Sequence, residues 1–376
     1  MATAVTTDTL RDLAGFRAAN GCAISIYVDL DPSSTPTLPD VRTKLNSILS
    51  EAEKAAEAGS GADRDCRVAL RDDLARIRAF WDDDFDRDGA RGVAIFASAG
   101  DGFFRALPLA EGAGDSVHVG PYLHLAPLAG ALDRDGALVA VVTRERGTIY
   151  RFESGRLEEV ADESEEQPGQ HDQGGWSQAR YQRHIEKLVQ QHLKSVGDTL
   201  DQHLRGSGPR MAVVIPEEMR GEFEAALSNE VRSAIVGWAT AEAHAGPTEL
   251  LEVVRPLLDE ARARRDQEAL ERFQELHGRG ERSAAGWKQV LDAASDARVD
   301  VLLVEEGAEA RAWECPQCGR ASADGGKCPL DGAKLEERED AVDLALHRTL
   351  CSGGSVVRVG GGALGEAKGV AALLRF

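Results

Sequence analysis

Two short runs near the end of the chain carry metal-ligand chemistry: Cys315-Pro316-Gln317-Cys318-Gly319 and Cys328-Pro329-Leu330-Asp331-Gly332. Two thiolates separated by two residues across a tight glycine turn chelate one tetrahedral ion. The second run repeats the knuckle with Asp331 where a fourth cysteine would stand. A carboxylate oxygen is a weaker but acceptable zinc ligand. Cys315, Cys318, Cys328 and Asp331 therefore read as a structural zinc site, with a degenerate knuckle held by packing as the alternative. A catalytic zinc needs an open position and a nearby base, and nothing local supplies them.

A second constellation is Gln170-His171-Asp172-Gln173-Gly174-Gly175-Trp176-Ser177-Gln178-Ala179-Arg180-Tyr181. A Gly-Gly pair in a polar loop adopts backbone conformations closed to other residues. The helix that follows offers free N–H groups and a positive dipole end. Along it, Ile185, Leu188, Val189, Val196, Leu200 and Leu204 share one face at roughly 100° per residue. Arg180, Arg183, Lys187 and Lys194 fall roughly opposite, and His171, His184, His192 and His203 lie in the same stretch. The pattern predicts a helix packed on one side with a cationic stripe on the other. An ordinary amphipathic helix with a solvated face gives the same pattern.

The elements that must position these groups follow from periodicity. Cys22 to Leu30 and Gly92 to Ala99 read as buried strands, with helices over about Asp40 to Ala58 and Ala62 to Phe85 between them. Short strands at Phe103 to Leu109 and His118 to Val119, then a helical or turn-like Pro121 to Leu132, close a first unit. Ala137 to Thr143 and Thr148 to Phe152 form a hairpin, Arg156 to Val160 a third strand, and residues 161–176 a polar loop. A long helix is predicted from a Ser177 N-cap to Arg205. Met211 to Ile215 reads as a strand, Pro216 to Leu227 as a helix and Val231 to Trp238 as a strand. The third unit opens near Gly246-Pro247 with a charged helix, Thr248 to Leu276. A helix over Ser283 to Ala294, a strand over Val299 to Glu305, a helix over Glu337 to Cys351 and strands at Ser355 to Val359 and Val370 to Phe376 complete it. Strands alternating with helices indicate α/β layers.

The chain has 376 residues, 44 Lys+Arg against 64 Asp+Glu, and a formal net charge of −20. Such a balance disfavours indiscriminate nucleic-acid binding, which needs neutralising cations. No run approaches the roughly 18 apolar residues of a membrane span. Met1 to Gly21 carries Asp8 and Asp12 and no apolar core, so no signal peptide is expected. Cys22, Cys66 and Cys351 are scattered and read as buried thiols in a reducing cytoplasm. Walker A, H-E-x-x-H and G-x-S-x-G sequences are missing. The Gly360 to Gly365 run lacks a βαβ context, and the Asp82 to Asp88 run lacks EF-hand spacing; both read as solvated segments.

Taken in order, these features resemble the archaeal/eukaryotic-type class-I peptide-chain release factors and their relatives, the Pelota and Balon-like proteins. Gly174-Gly175-Trp176-Ser177-Gln178-Ala179-Arg180-Tyr181 is similar, without a gap, to that family's Gly-Gly-Gln-Ser-x-x-Arg-(aromatic) loop and helix start. Gly369 to Phe376 resembles its closing strand, and Tyr122 to Leu132 the end of its first domain. The resemblance implies three mixed-sheet α/β domains: 1–135, 136–245 with the Gly-Gly loop and long helix, and 246–376. The last would be an L7Ae-like α/β/α domain with a zinc knuckle inserted at 313–332.

The family's catalytic Gln is Trp176 here, and tryptophan has one N–H and no acceptor. Asp31 to Pro39 has no codon-reading tetrapeptide. The resemblance thus implies a factor of the ribosomal A site that does not decode stop codons, in hibernation or in rescue of stalled ribosomes. His171, Gly174, Gly175, Trp176, Ser177, Arg180, Arg183, Lys187 and Lys194 would contact rRNA near the peptidyl-transferase centre, or tRNA. A translational GTPase is an implied partner; membrane and DNA are not. An alternative is a peptidyl-tRNA hydrolase using Gln178, and a further one is a non-ribosomal interaction protein on the same fold. No proposed domain is net basic. Residues 157–172 hold seven acids and no Lys or Arg, whereas residues 171–210 hold six bases against four acids. Any RNA contact should therefore be local.

Overall fold

The structure is a computed structural model that describes residues 7–376 except 34, 59–63, 88–89, 110–111, 131–136, 154–155, 165–175, 205–209, 243–244 and 339. The N-terminal part contains α1 (Thr7–Gly15), β1 (Ala23–Asp29), α2 (Leu38–Ala58), α3 (Arg64–Ala79), β2 (Gly92–Ser98), β3 (Phe103–Leu109) and β4 (Ser116–Gly120). The strands form an antiparallel sheet of order β3-β2-β1-β4. β2 is buried throughout and β1 nearly so, as expected of central strands covered on both faces. Val41, Leu45 and Leu49 of α2 pack with Leu70, Leu74 and Ile77 of α3 on one face. Tyr27, Ala94 and Phe96 point to the other, where Leu10 and Leu13 of α1 join them. Cys22 and Cys66 are not free thiols. They form a disulfide that ties the start of β1 to α3, with Cα atoms 5.0 Å apart. Cys351 is exposed rather than buried.

Residues Arg134–Ala263 form a separate compact unit. It holds β5 (Ala137–Val142), β6 (Arg146–Glu153), β7 (Arg156–Ser164), α4 (Trp176–Leu204), β8 (Met211–Val214), α5 (Glu217–Ala226), α6 (Asn229–Ala234), β9 (Ile235–Ala239) and the start of α7 (Pro247–Arg279). The sheet order is β7-β6-β5-β8-β9, with a parallel β5–β8–β9 half and an antiparallel β5–β6–β7 half. Val189, Leu193, Val196 and Leu200 of α4 cover one face together with Phe223 and Val231. Leu250, Val254 and Leu258 of α7 cover the other. Each such aliphatic side chain contributes roughly 1.5–3 kcal/mol on full burial. Two expectations need correcting. Val231 to Ala234 is helical, because the Ser228 side chain accepts from Val231 N and caps α6. β7 runs on through Ser164 because Arg146 forks onto Asp162, at 3.0 and 2.8 Å.

The C-terminal part contains β10 (Ser283–Ala285), α8 (Gly286–Ser295), β11 (Val299–Glu305), β12 (Ala312–Glu314), β13 (Ala321–Ser322), β14 (Glu336–Arg338), α9 (Ala341–Cys351), β15 (Ser355–Val359) and β16 (Val370–Leu374). Its main sheet has the order β10-β16-β11-β15, with β11–β15 parallel and the other pairs antiparallel. Leu270 and Phe273, late in α7, pack with Leu303, Val357 and Leu373 on one face. Helices α8 and α9 cover the other. The expected helix over Ser283 to Ala294 is shorter: Ser283–Ala285 pair with β16, and Gly286, at φ +76°, makes the turn into α8. The expected helix from Glu337 starts only at Ala341, because Glu336–Arg338 pair with β12 and Asp340 caps the helix by accepting from Asp343 N.

Residues Met1–Asp133 and Arg264–Phe376 together make one compact unit. Its core is continuous: Leu10, Tyr27, Phe96 and Leu123 lie in the same cluster as Val299, Leu344 and Leu350.

Candidate functional site

The long helix α4 is fixed along one face by apolar and polar contacts. Its apolar stripe sinks Val189, Leu193, Val196 and Leu200 against the middle sheet, with Ile185 and Leu204 half-buried beside them. Gly147 of β6 permits the approach, since a Cβ there would lie 2.3 Å from Val196 Cγ2. Polar contacts pin the same face: Glu163 of β7 accepts from Thr199 Oγ1 at 2.8 Å and from Ser195 Oγ at 3.3 Å. Arg183, Lys187 and Lys194 are exposed. His184 is exposed and His203 half-buried, while His192 is 1% exposed. The helix begins at Trp176, one residue ahead of the expected Ser177 cap. Trp176, Ser177, Gln178 and Arg180 thus lie in its first two turns, Gln178 two positions after Trp176. His171, Gly174 and Gly175 lie outside the described residues.

The cysteine cluster is assembled by two turns of matching geometry. Gly319 N donates to Cys315 O at 2.9 Å, and Gly332 N donates to Cys328 O at 2.9 Å. Cys315 N reaches Arg320 O, and Cys328 N reaches Ala333 O. Gly319 and Gly332 both adopt left-handed φ, +74° and +77°. Asp331 consequently occupies in the second knuckle the place Cys318 holds in the first. Cys315 Sγ lies 3.2 Å from Asp331 Oδ2, and Cys318 Sγ lies 3.5 Å from Cys328 Sγ.

All four donor atoms fall within 4.8 Å of one another. Ligand distances of about 2.3 Å for sulfur give tetrahedral S···S edges of about 3.8 Å, so the donor set fits a single four-coordinate ion. Asp331 and Cys318 are shifted by the groups packed around them. The Ala333 N–H and the thiols of Cys315 and Cys318 hold Asp331 down at about 2. At Cys318 the Arg320 backbone pulls the thiol down. Desolvation and crowding by Asp331, Cys328 and Cys315 prevail and push it up to about 12.

A third polar group joins the N- and C-terminal parts, and no sequence pattern announces it. His124 Nδ1 faces Asp340 Oδ2 at 3.3 Å and makes a closer contact with Asp343 Oδ2. Asp343 Oδ1 accepts from Leu125 N and Ala126 N at 2.9 and 2.8 Å. Burial disfavours the imidazolium, but hydrogen bonds to Asp340 and Asp343 and their charges outweigh it and lift His124 to about 10. One helical turn on, His347 places Nδ1 2.7 Å from Ala14 O and Nε2 2.7 Å from Leu123 O. Glu314, fully buried, accepts from Tyr122 OH at 2.6 Å, Arg348 Nη2 at 2.8 Å and Arg338 Nε at 3.0 Å. The acid adjoining Cys315 is therefore tied directly to the N-terminal part of the same unit.

Residues 124–262 match the model of a family described as bacterial archaeo-eukaryotic release factor family 10. The chain is 26% identical to peptide chain release factor subunit 1 of Archaeoglobus fulgidus over 189 residues, covering 48% of this chain and 46% of that protein. It is 28% identical to the Methanopyrus kandleri protein of the same name over 207 residues, covering 52% and 50%. The chain thus spans about half the length of these curated relatives. Among solved structures, an archaeal translation termination factor aligns over 98% of this chain and 96% of its own, at 18% identity and a TM-score of 0.26. A ribosome-bound archaeal Pelota aligns over 76% and 77%, at 18% identity and a TM-score of 0.45. No helix among the described residues is long and apolar enough to cross a membrane.

Proposed function

We propose that the chain is an archaeo-eukaryotic release-factor-like protein and, on that premise, a ribosome-associated translation factor that occupies the A site without decoding stop codons. The observation that carries this reading is α4. Its apolar face is docked on the middle sheet, while Arg183, Lys187 and Lys194 stand in solvent, in a chain whose net charge is −20. A stripe of cations on a rigid helix suits contact with the rRNA or tRNA backbone, where phosphate neutralisation supplies the affinity.

Trp176 stands where a release factor carries its catalytic glutamine, so the factor plugs or inspects the site rather than hydrolysing peptidyl-tRNA. Such a plug would serve hibernation or the rescue of stalled ribosomes. The cluster Cys315, Cys318, Cys328 and Asp331 would hold zinc in a structural role, as thiolate-rich tetrahedral sites do. A translational GTPase would be the partner of the C-terminal part.

The test is co-sedimentation with ribosomes from growing and starved cells, repeated with Arg183, Lys187 and Lys194 each changed to Glu. Binding by the wild type and its loss in the triple variant are expected. A chain missing from ribosomal fractions under every condition, or binding unchanged by the reversal, overturns the reading. A peptidyl-tRNA release assay addresses mechanism: release that Gln178→Ala abolishes would replace plugging with hydrolysis.

A further inference from the structure

Three of the four cluster donors differ little in chemistry but greatly in access. Cys315 is fully buried and Cys328 is 3% exposed, whereas Cys318 is exposed. Cys318 also lines an open cleft of about 270 Å³ bordered by α1, α9 and the first knuckle. Water occupies about 30 Å³ in the liquid, so a cleft of that size admits several waters or a small peroxide. The free, exposed thiol Cys351, at the end of α9, lines the same cleft. Knuckle and helix touch directly at this point: a Cβ on Gly319 would lie 2.5 Å from Arg348 Nη2, one turn before Cys351. A solvent-reachable donor and a second thiol that is not part of the cluster thus share one open space.

We propose that Cys318 is an oxidation site for hydrogen peroxide and that Cys351, the free thiol outside the cluster, is its resolving thiol. In the first step the Cys318 sulfur attacks the peroxide, the O–O bond breaks, and Cys318 becomes a sulfenic acid while one water leaves. In the second step the Cys351 sulfur attacks the Cys318 sulfur, a disulfide forms and a second water leaves. Two thiols lose two electrons and two protons, and the peroxide is reduced to two waters. Oxidation removes Cys318 from the donor set and leaves Cys315, Cys328 and Asp331. Three donors no longer close a structural site, so an ion held there is released. Cys315 adjoins Glu314, which anchors Tyr122 and Arg348, so the change reaches the contact between the N- and C-terminal parts.

The test treats the full chain, loaded with zinc, with hydrogen peroxide. Released metal and the non-reducing peptide map are followed together. Wild type is expected to yield a Cys318–Cys351 linked peptide in step with loss of the ion, and a dithiol should restore metal binding. Cys351→Ser, which removes no cluster donor, should give no such peptide, accumulate sulfinic acid at Cys318 and fail to recover. A peroxide-induced bridge confined to Cys315, Cys318 and Cys328, or a Cys318 that stays reduced, overturns the proposal. The peptide map decides this even for a chain carrying no ion, and neither readout depends on ribosome binding.

Discussion

Changing His124 to Gln removes the cation bracketed by Asp340 and Asp343, and the structure sets the size of the effect. The ring is lifted from an ordinary 6.5 to about 10 in the folded chain. At about 1.36 kcal/mol per unit, the ceiling on its contribution is about 5 kcal/mol. Asp343 keeps the Leu125 and Ala126 N–H groups in the variant, and a glutamine amide still donates to one carboxylate. A loss of about 2–3 kcal/mol is therefore expected, below the roughly 3–5 kcal/mol for stranding one partner of a buried pair. A group raised in the folded state stabilises fully below its unfolded value and loses that contribution as pH rises through its folded value. The wild-type advantage should thus be complete near 6.5 and fade toward about 10. On the acid side, Asp340 is held below its ordinary value: burial opposes this, but the His124 hydrogen bond prevails. Its share is lost as pH falls. Calorimetric scans of wild type and His124→Gln at about pH 6.5, 8 and 10 measure the difference across this window. A gap that stays constant with pH would refute the argument, because it would mean that the ring is neutral in the fold.

Three further outcomes are expected. Chelation, or Cys315→Ser, should strip hydrogen-exchange protection from the amides of Cys315, Gly319, Cys328 and Gly332 while the β5 to β9 sheet keeps its own; unchanged knuckle protection would count against a bound ion. Gly147→Ala should destabilise the middle unit by about 1–3 kcal/mol, because the new methyl meets Val196, whose β-branched side chain has one comfortable rotamer in a helix. Urea unfolding followed by Trp238 fluorescence measures this, and an unchanged midpoint would mean that α4 shifts freely. Reversing charge at Arg183, Lys187 and Lys194 should flatten the log–log salt dependence of ribosome binding by about 2–3 if all three meet phosphates; a parallel salt line would place the contact elsewhere.

What the sequence revealed was local. Both knuckles could be read because each is a five-residue unit whose glycine must take left-handed φ. The faces of α4 could be read because burial repeats every turn over Val189 to Leu200. The misreadings occurred where a short-range polar contact overrides the apolar pattern. Val231 has a strand-like neighbourhood, yet the Ser228 cap makes it helical. Ser283–Ala285 looks like a helix start but serves as a three-residue edge strand because β16 lies beside it. The contact between the N- and C-terminal parts was invisible for a different reason. His124 and Asp343 are 219 residues apart, Ala14 and His347 are 333 apart, and no motif pairs them. Asp340 and Asp343 alone read only as the start of a helix.

The net charge of −20 is a poor guide to what α4 experiences. Many of the acids are already engaged. Asp340 and Asp343 hold His124, Glu314 holds Arg338 and Arg348, Asp292 and Asp296 hold Arg320, and Asp162 holds Arg146. Glu163 spends its oxygens on Thr199 and Ser195. Lys187 and Lys194, by contrast, make no ion pair among the described residues. At physiological salt the screening length is about 8 Å, so an incoming phosphate responds to the nearest turns of α4 and not to the whole surface. The global acidity then acts against non-specific contact everywhere else, while the stripe remains a local attractive patch. Specific binding should weaken steeply with salt but retain its position on the ribosome, whereas a uniformly basic protein would lose both together.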